Sequence, residues 1–142
     1  MLKIKDAQAA IPAQDIKRAR EFYEQKLGLV PGEIQPDGGA QYAAGNTHFL
    51  VFPSRGKASG DHTQMGLEVD DINAAVTELK SKGVKVEEYD YPDFKTVNGI
   101  VDMGEMGKGA WVKDTEGNLI SLLQRSPVAT SSSSRGGAST SR

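Results

Sequence analysis

Two glutamines stand at matching places in an internal duplication. Gln8 lies seven residues before Asp15, and Gln64 lies seven residues before Asp71. Each aspartate opens a helical pattern, and the segment before it has the pattern of a strand. An amide side chain can ligate a metal through its oxygen or hold an organic molecule through hydrogen bonds. The spacing therefore predicts two equivalent polar positions in a duplicated fold.

Other side chains could complete such a site. His62 and Glu68 alternate with Gln64 along one predicted strand and so share a face with it. Ser121 adds a hydroxyl, but the sequence offers no evident His and acid partner that would make it a nucleophile. Aromatic residues could stack on a ligand: Tyr42 and Trp111 on predicted strands, and Phe94, Tyr89 and Tyr91 in a long connecting segment.

The hydrophobic pattern predicts the same order of elements in both copies, namely strand, helix, strand, strand, strand. In the first copy these are 7–12, a helix capped by Asp15 and ended by Gly28, 30–35, 40–44 and 47–52. In the second they are 64–69, a helix capped by Asp71 and ending at 82–83, 84–88, 110–113 and 119–124. The segment 89–108 is long and rich in Gly and Met, which favours a lid or a binding loop.

Length and composition limit the number of domains and exclude several classes of function. The 142 residues suffice for one domain, expected at 1–127 with modules 7–53 and 64–124, and the Ser- and Gly-rich stretch 128–142 is expected to be a disordered tail. A net charge of −2 disfavours nucleic-acid binding. The sequence contains neither an apolar run of membrane-spanning length nor a secretory signal, which predicts a cytoplasmic protein. The lack of cysteine excludes disulfides and thiolate sites.

Three motifs carry a resemblance to a known family. They are FYEQKLGL at 22–29, GLEVDD at 66–71 and KDTEGNLISL at 113–122. In this order they resemble the vicinal oxygen chelate superfamily of glyoxalases, bleomycin-resistance proteins, extradiol dioxygenases and fosfomycin-resistance enzymes. The resemblance implies an α+β fold of two βαβββ modules whose sheets form a cup. It also implies a homodimer.

The resemblance further implies where metal ligands would stand in members that use a metal. The positions fall on Gln8, on one residue of Phe49, Leu50 and Val51, on Gln64, and on Ser121 in place of the usual glutamate. Two amides, an apolar side chain and a hydroxyl offset the dehydration of a divalent cation poorly. No cofactor is therefore expected.

The resulting prediction is a small-molecule binding protein of the sequestration or resistance type. Its expected ligand contacts are Gln8, Gln64, Ser121, Tyr42, Trp111 and Phe94. One alternative is a lyase, isomerase or dioxygenase that holds a divalent metal through Gln8, His62 and Glu68. A second is an interaction module with a degenerate pocket, in which the two glutamines are satisfied within a filled core and the aromatic residues belong to it.

Overall fold

A computed structural model describes residues 1–127 of the chain, and the expected tail at 128–142 lies outside the described residues. The chain divides into two compact units. The first comprises Met1–Gln64 together with Lys113–Leu119, and the second comprises Met65–Val112 and the described residues from Ile120 to Pro127. No helix within residues 1–127 is long and apolar enough to cross a membrane.

The first unit is one complete βαβββ module. It consists of β1 (Ala9–Ala13), α1 (Ile16–Glu21), a π-helical turn (Phe22–Lys26), β2 (Pro31–Ile34), β3 (Ala40–Ala44) and β4 (Thr47–Pro53). The sheet order is β1-β4-β3-β2, with β1 parallel to β4 and the other neighbours antiparallel. These strands confirm the predicted ranges to within two residues at each end.

The second unit repeats this plan. Its elements are β5 (Thr63–Glu68), which starts at the unit boundary, α2 (Ile72–Ser81), β6 (Asp90–Tyr91), β7 (Phe94–Lys95), β8 (Val101–Asp102), β9 (Lys108–Lys113) and β10 (Leu119–Gln124). The order β5-β10-β9-β8 again puts the last strand beside the first. The predicted α+β fold of two βαβββ modules is confirmed.

Both helices begin as the aspartates predict. The Asp15 side chain accepts a hydrogen bond of 3.0 Å from the Arg18 amide, and Asp71 accepts one of 3.1 Å from the Ala74 amide. Each bond satisfies an amide that has no partner inside its helix. The first helical segment ends at Gly28, whose φ of 76° suits glycine.

The prediction for 84–88 is wrong in part, because this segment forms no continuous strand. Val86 makes a single antiparallel bridge to Val112, and the ladder on that edge of β9 resumes only where Val101 pairs with Gly109. Val86 and Val101 are fifteen positions apart, whereas their partners are three apart. The corresponding edge of β3 accommodates only a short irregularity, between Pro31 and Ile34 of β2.

The residues inserted between the two halves of that edge, 88–100, are called the arm below. The arm contains the hairpin of β6 and β7, in which Asp90 pairs with Lys95 and Tyr91 with Phe94. Thr96 is buried and ties the base of the arm together, because its amide donates to the Tyr89 carbonyl at 2.9 Å and its hydroxyl oxygen accepts from the Tyr89 amide at 2.8 Å. The expected loop is thus folded rather than irregular.

In each sheet, one face is buried and the other is open. In the first unit Ile11, Ala13, Tyr42, Phe49 and Val51 are buried, and in the second Ala110, Val112, Ile120 and Leu122 are buried. Because side chains alternate along a strand, their neighbours in sequence point to the opposite, open face. The open faces carry the candidate site residues.

Candidate functional site

The open face of the first sheet carries a pair of amides. Gln8 is exposed just before β1, and its Oε1 accepts a hydrogen bond of 2.6 Å from Gln41 Nε2 on β3. Leu50 of β4 pairs with Ala10 of β1 and with Gln41, whereas its neighbours Phe49 and Val51 are buried. The register therefore identifies Leu50 as the apolar residue at the position that the sequence left ambiguous.

The open face of the second sheet gathers several predicted residues. On β5, exposed Gln64, Gly66 and Glu68 alternate with the less exposed Met65 and Leu67. A β-carbon built on Gly66 would lie 3.0 Å from Ser121 Oγ, so β10 presents this hydroxyl beside β5. Gly66 stands 56 residues after Ala10, as Gln64 does after Gln8. Ser121 therefore occupies in the second module the place that Leu50 occupies in the first.

Trp111 and Phe94 meet in a group of rings called the aromatic cluster, which consists of Tyr89, Tyr91, Phe94 and Trp111. The centroids of Phe94 and Trp111 are 5.3 Å apart, and Tyr89 meets the indole edge to face at 5.9 Å. Tyr91 stacks on Tyr89 at 6.2 Å and is 58% exposed. Such offset and edge contacts are the arrangements that aromatic pairs favour. The arm thus brings its rings to the partly exposed indole of β9.

Gly109 makes room for this arrangement. A β-carbon there would lie 3.0 Å from Met103 Cε and 3.3 Å from Trp111 Cη2. The indole and the Met103 methyl group therefore lie close over the strand backbone. Burial raises the pKa of Tyr89, with smaller contributions from Glu87 and Tyr91, so this phenol is neutral at pH 7.

Tyr42 was expected to contact a ligand, but it is fully buried in the first unit. Its ring stacks on Tyr23 at 5.8 Å, and its hydroxyl donates to Glu24 Oε2 at 2.8 Å. Burial, followed by the hydrogen bond to Glu24, raises its pKa well above the usual value. Because both the ring and the hydroxyl are engaged in the core of the unit, Tyr42 offers no free stacking surface there.

The residues considered for a metal do not form a ligand set that fits one. Arg125 Nε lies 3.0 Å from Glu68 Oε1 in an ion pair, and Gln8 Oε1 is engaged by Gln41. His62 is exposed, with its Nδ1 3.2 Å from the Thr63 carbonyl oxygen. Among residues 1–127, no three His, Asp or Glu side chains lie together in a group that could hold a metal ion. Gln8, Gln64 and Ser121 offer only neutral amides and a hydroxyl, which bind divalent cations weakly.

The motif at 113–122 carried the family resemblance without an assigned role, and the structure supplies a role for its turn. Tyr23 donates a hydrogen bond of 2.6 Å to Asp114 Oδ2, which also accepts one from Asn118 Nδ2 at 2.7 Å. Asn118 Nδ2 further donates to the Pro12 carbonyl at 3.0 Å. The turn is therefore bound into the first unit by buried polar groups. The FY pair at 22–23, whose Tyr23 is buried, is the sequence feature from which this contact with the turn could have been inferred.

Glu116 caps the first helix from the same turn. Its side chain is 2% exposed; Oε1 accepts from the amides of Gln14 at 2.9 Å and Asp15 at 3.0 Å, and Oε2 accepts from Arg18 Nε at 2.9 Å. Burial by itself would raise the pKa of Glu116, but the hydrogen bonds, first that from Arg18, outweigh it and lower the pKa. The carboxylate is thus charged and held at the helix N-terminus, where negative charge is stabilised.

Comparison with known proteins agrees with this architecture. A family model described as Glyoxalase/Bleomycin resistance protein/Dioxygenase superfamily matches residues 7–122. No curated protein matches the chain significantly.

Among solved structures, TnmS3, an antibiotic binding protein from Streptomyces sp. CB03234, is 25% identical with a TM-score of 0.65, over 89% of this chain and 100% of that one. FosX, the fosfomycin resistance protein of Listeria monocytogenes, is 8% identical with a TM-score of 0.65, over 89% and 97%. Lactoylglutathione lyase from Agrobacterium tumefaciens is 17% identical with a TM-score of 0.60, over 87% and 95%. By the extent of the family match, the chain belongs to the glyoxalase/bleomycin resistance protein/dioxygenase superfamily.

Proposed function

We propose that the protein binds a small aromatic organic molecule on the open face of its second sheet and sequesters it without a divalent metal. The observation that carries the proposal is the aromatic cluster beside a face with two neutral polar groups, Gln64 and Ser121. Apolar walls with a few oriented polar groups are the usual make-up of a small-molecule site.

The chemistry of the face favours a flat ligand. Trp111 and Phe94 are partly exposed, so a planar ring system could extend their packed rings, at about 0.5–1.5 kcal/mol per aromatic contact beyond area burial. Gln64 provides a donor and an acceptor, and Ser121 provides a hydroxyl, so carbonyl or phenol groups on the ligand would be oriented. Neither group titrates near neutral pH.

The comparison with TnmS3 supports the same class of function. That protein is described as antibiotic binding, and its similarity extends over its whole length. The similarities to FosX and to lactoylglutathione lyase, both below 25% identity, support the fold alone. We therefore infer an antibiotic-like natural product as the ligand rather than a glutathione adduct.

The polar positions of both modules support the metal-free part of the proposal. Gln8 and Gln64 are amides, Leu50 cannot coordinate, and Ser121 is a weak ligand when neutral. A divalent cation gives up strongly bound water on entering a site, and hard cations need carboxylates to offset this. Polarisation of a substrate oxygen would fall to hydrogen bonds alone, which suits binding better than chemistry.

Trp111 is the single tryptophan of the chain and therefore reports on the site directly. Titration with polycyclic aromatic natural products should quench or shift its fluorescence saturably, and neither EDTA nor added Mg²⁺, Mn²⁺ or Zn²⁺ should change the affinity. Trp111→Leu should lose most of the calorimetric binding signal, whereas Tyr91→Leu, at the exposed end of the cluster, should lose less. Stoichiometric metal in the purified protein, or binding that disappears with EDTA, would overturn the metal-free proposal.

We also propose that the protein acts in the cytoplasm as a homodimer, as the family resemblance suggests. Light scattering after size-exclusion chromatography should give twice the chain mass of 15.2 kDa. A monomer at micromolar concentration would contradict the dimer but leave the binding proposal in place.

A further inference from the structure

A second concavity lies in the second unit, away from the aromatic cluster. It is a depression of about 370 Å³ bounded by the first turn of α2, the tip of the arm and the paired strands β8 and β9. Its polar lining consists of Asn73, Lys95, Asn98, Asp102 and Lys108. None of the four aromatic residues lines it, so it is distinct from the ligand face proposed above.

The lining carries two lysines that form no ion pair in the described part of the chain. Within residues 1–127, Lys95 and Lys108 form no ion pair, and the side chains of Asn73 and Asn98 form no hydrogen bond. The one carboxylate, Asp102, accepts a hydrogen bond of 2.9 Å from the Gly104 amide instead of pairing with a lysine. The depression thus presents two ammonium groups and two amide groups to solvent, beside the single carboxylate of Asp102.

The tip of the arm is held in place by its own backbone hydrogen bonds. The Val97 and Ile100 backbones exchange hydrogen bonds of 2.8 and 3.1 Å around Asn98 and Gly99, both of which have positive φ. This is the requirement of the tight hairpin turn that Asn-Gly sequences favour. A β-carbon on Gly99 would overlap the Val86 side chain, so the turn is packed directly against the sheet. A preformed wall lowers the ordering cost of binding.

We propose that this depression binds a small organic phosphate monoester. Two ammonium groups at one opening match a dianion, and the amides of Asn73 and Asn98 can donate to its oxygens. Val97 and Ile100 provide an apolar wall for the organic part. The first module lacks an equivalent of the arm, since the corresponding edge of β3 has only the short irregularity between Pro31 and Ile34, so the site belongs to the second module alone.

The test is a titration of the full chain with phenyl phosphate, followed by amide chemical shifts. Saturable shifts at 73, 95, 98 and 108 are expected. Benzoate, which has the same ring but one charge, should shift these residues with weaker affinity, and phenol should not shift them. Lys95→Gln and Lys108→Gln should each lower the affinity for phenyl phosphate by about two- to fivefold, the range for an exposed charge pair. Lys57→Gln, an exposed lysine of the first unit, is the matched control and should change nothing.

The proposal fails if phenyl phosphate causes no saturable shifts at these residues, or if the Lys95→Gln/Lys108→Gln double variant binds it as tightly as the native chain. It also fails if benzoate binds as tightly as phenyl phosphate, because the site would then not select a dianion. The amide shifts at 73, 95, 98 and 108 report on the depression and Trp111 fluorescence reports on the aromatic cluster, so failure here and failure of the aromatic-ligand proposal are distinguishable.

Discussion

At the scale of single residues, the paired glutamines differ in their surroundings. Gln8 shares a hydrogen bond with Gln41, whereas Gln64 stands on an open face two residues before Gly66, which lies beside Ser121 of β10. An amide that already has a partner gains less from a ligand, since the new bond replaces an existing one. We therefore expect ligand binding at the second module.

Replacing Gln64 with Ala should weaken ligand binding by about 1 kcal/mol, the net value of one hydrogen bond, without lowering stability, because the side chain is exposed. Calorimetric titration and a thermal melt of the same sample measure the two effects. Gln25→Ala, an exposed glutamine of the first unit, serves as the control. Equal affinity of both variants would remove Gln64 from the site.

Glu116→Gln should destabilise the protein by about 1 kcal/mol at pH 7, because the amide can still accept from the helix amides but loses the charge that faces Arg18. Since the folded pKa of Glu116 is lowered, its stabilisation is present above the unfolded pKa and is lost as pH falls through the folded value.

Urea denaturation between pH 7 and pH 3 tests the role of Glu116. The native chain should lose more stability on acidification than Glu116→Gln does. Glu33→Gln, on an exposed position of β2, should follow the native chain. Parallel pH profiles for the native chain and Glu116→Gln would show that the carboxylate does not couple to folding.

At the scale of elements, the arm distinguishes the two modules. The edge strand β2 is nearly continuous in the first module, whereas the corresponding edge strand beside β9 is interrupted by the arm. The arm contributes three of the four rings of the aromatic cluster. A duplicated fold thus provides two similar sheets but one aromatic face. The arm's other side provides the cationic depression.

Two glycines of the second unit allow the fixation of the arm to be tested. Gly99 and Gly104 both have positive φ, at 81° and 67°, but a β-carbon would overlap Val86 only at Gly99 and would meet nothing within 4 Å at Gly104. Gly99→Ala should therefore be the more destabilising, by more than about 1 kcal/mol, and should shift Trp111 emission.

Chemical denaturation followed by Trp111 fluorescence compares the two variants directly. Gly104→Ala carries the backbone strain alone and is the matched control. If both variants lose the same stability and keep the native emission, the arm is not anchored through Gly99.

At the scale of the whole molecule, the first unit is completed by residues from far along the chain. The turn 113–119 clusters with it, and its buried bonds from Asp114 and Asn118 reach Tyr23 and Pro12. The turn is therefore part of the fold of that unit as well as a connection between β9 and β10. The FY and DTEGN motifs describe the two sides of this contact.

Tyr23→Phe should lower stability at pH 7 by about 1 kcal/mol, since Asp114 keeps its bond from Asn118. Burial, and then the charge of Asp114, raise the pKa of Tyr23 far above the usual value of about 10. The contribution of Tyr23 to the stability of the fold is therefore complete below about pH 10 and is lost at higher pH, where the phenol ionises in the unfolded chain.

Stability measured from pH 8 to pH 11 should accordingly fall more steeply for the native chain than for Tyr23→Phe. Tyr91→Phe, which removes an exposed hydroxyl, is the control and should behave as the native chain does. The same slope for the native chain and Tyr23→Phe would contradict the buried bond to Asp114.

Local pattern was enough for much of the architecture. The caps at Asp15 and Asp71, the end at Gly28 and the strands 40–44 and 119–124 follow from hydrogen-bonding groups and alternation that act over a few residues. The equal spacings from Gln8 to Asp15 and from Gln64 to Asp71 indicate the duplication. These features determine the family fold.

Only the tertiary structure decided which residues on these elements are available to a ligand. Tyr42 and Trp111 look alike in sequence, as aromatic residues on strands, yet one is buried against Tyr23 and the other is partly exposed beside Phe94. Likewise, the strand register places Leu50 on the open face of the first sheet, and the arm places Phe94 against Trp111. Such outcomes depend on pairing and packing between segments distant in sequence, which no local pattern specifies.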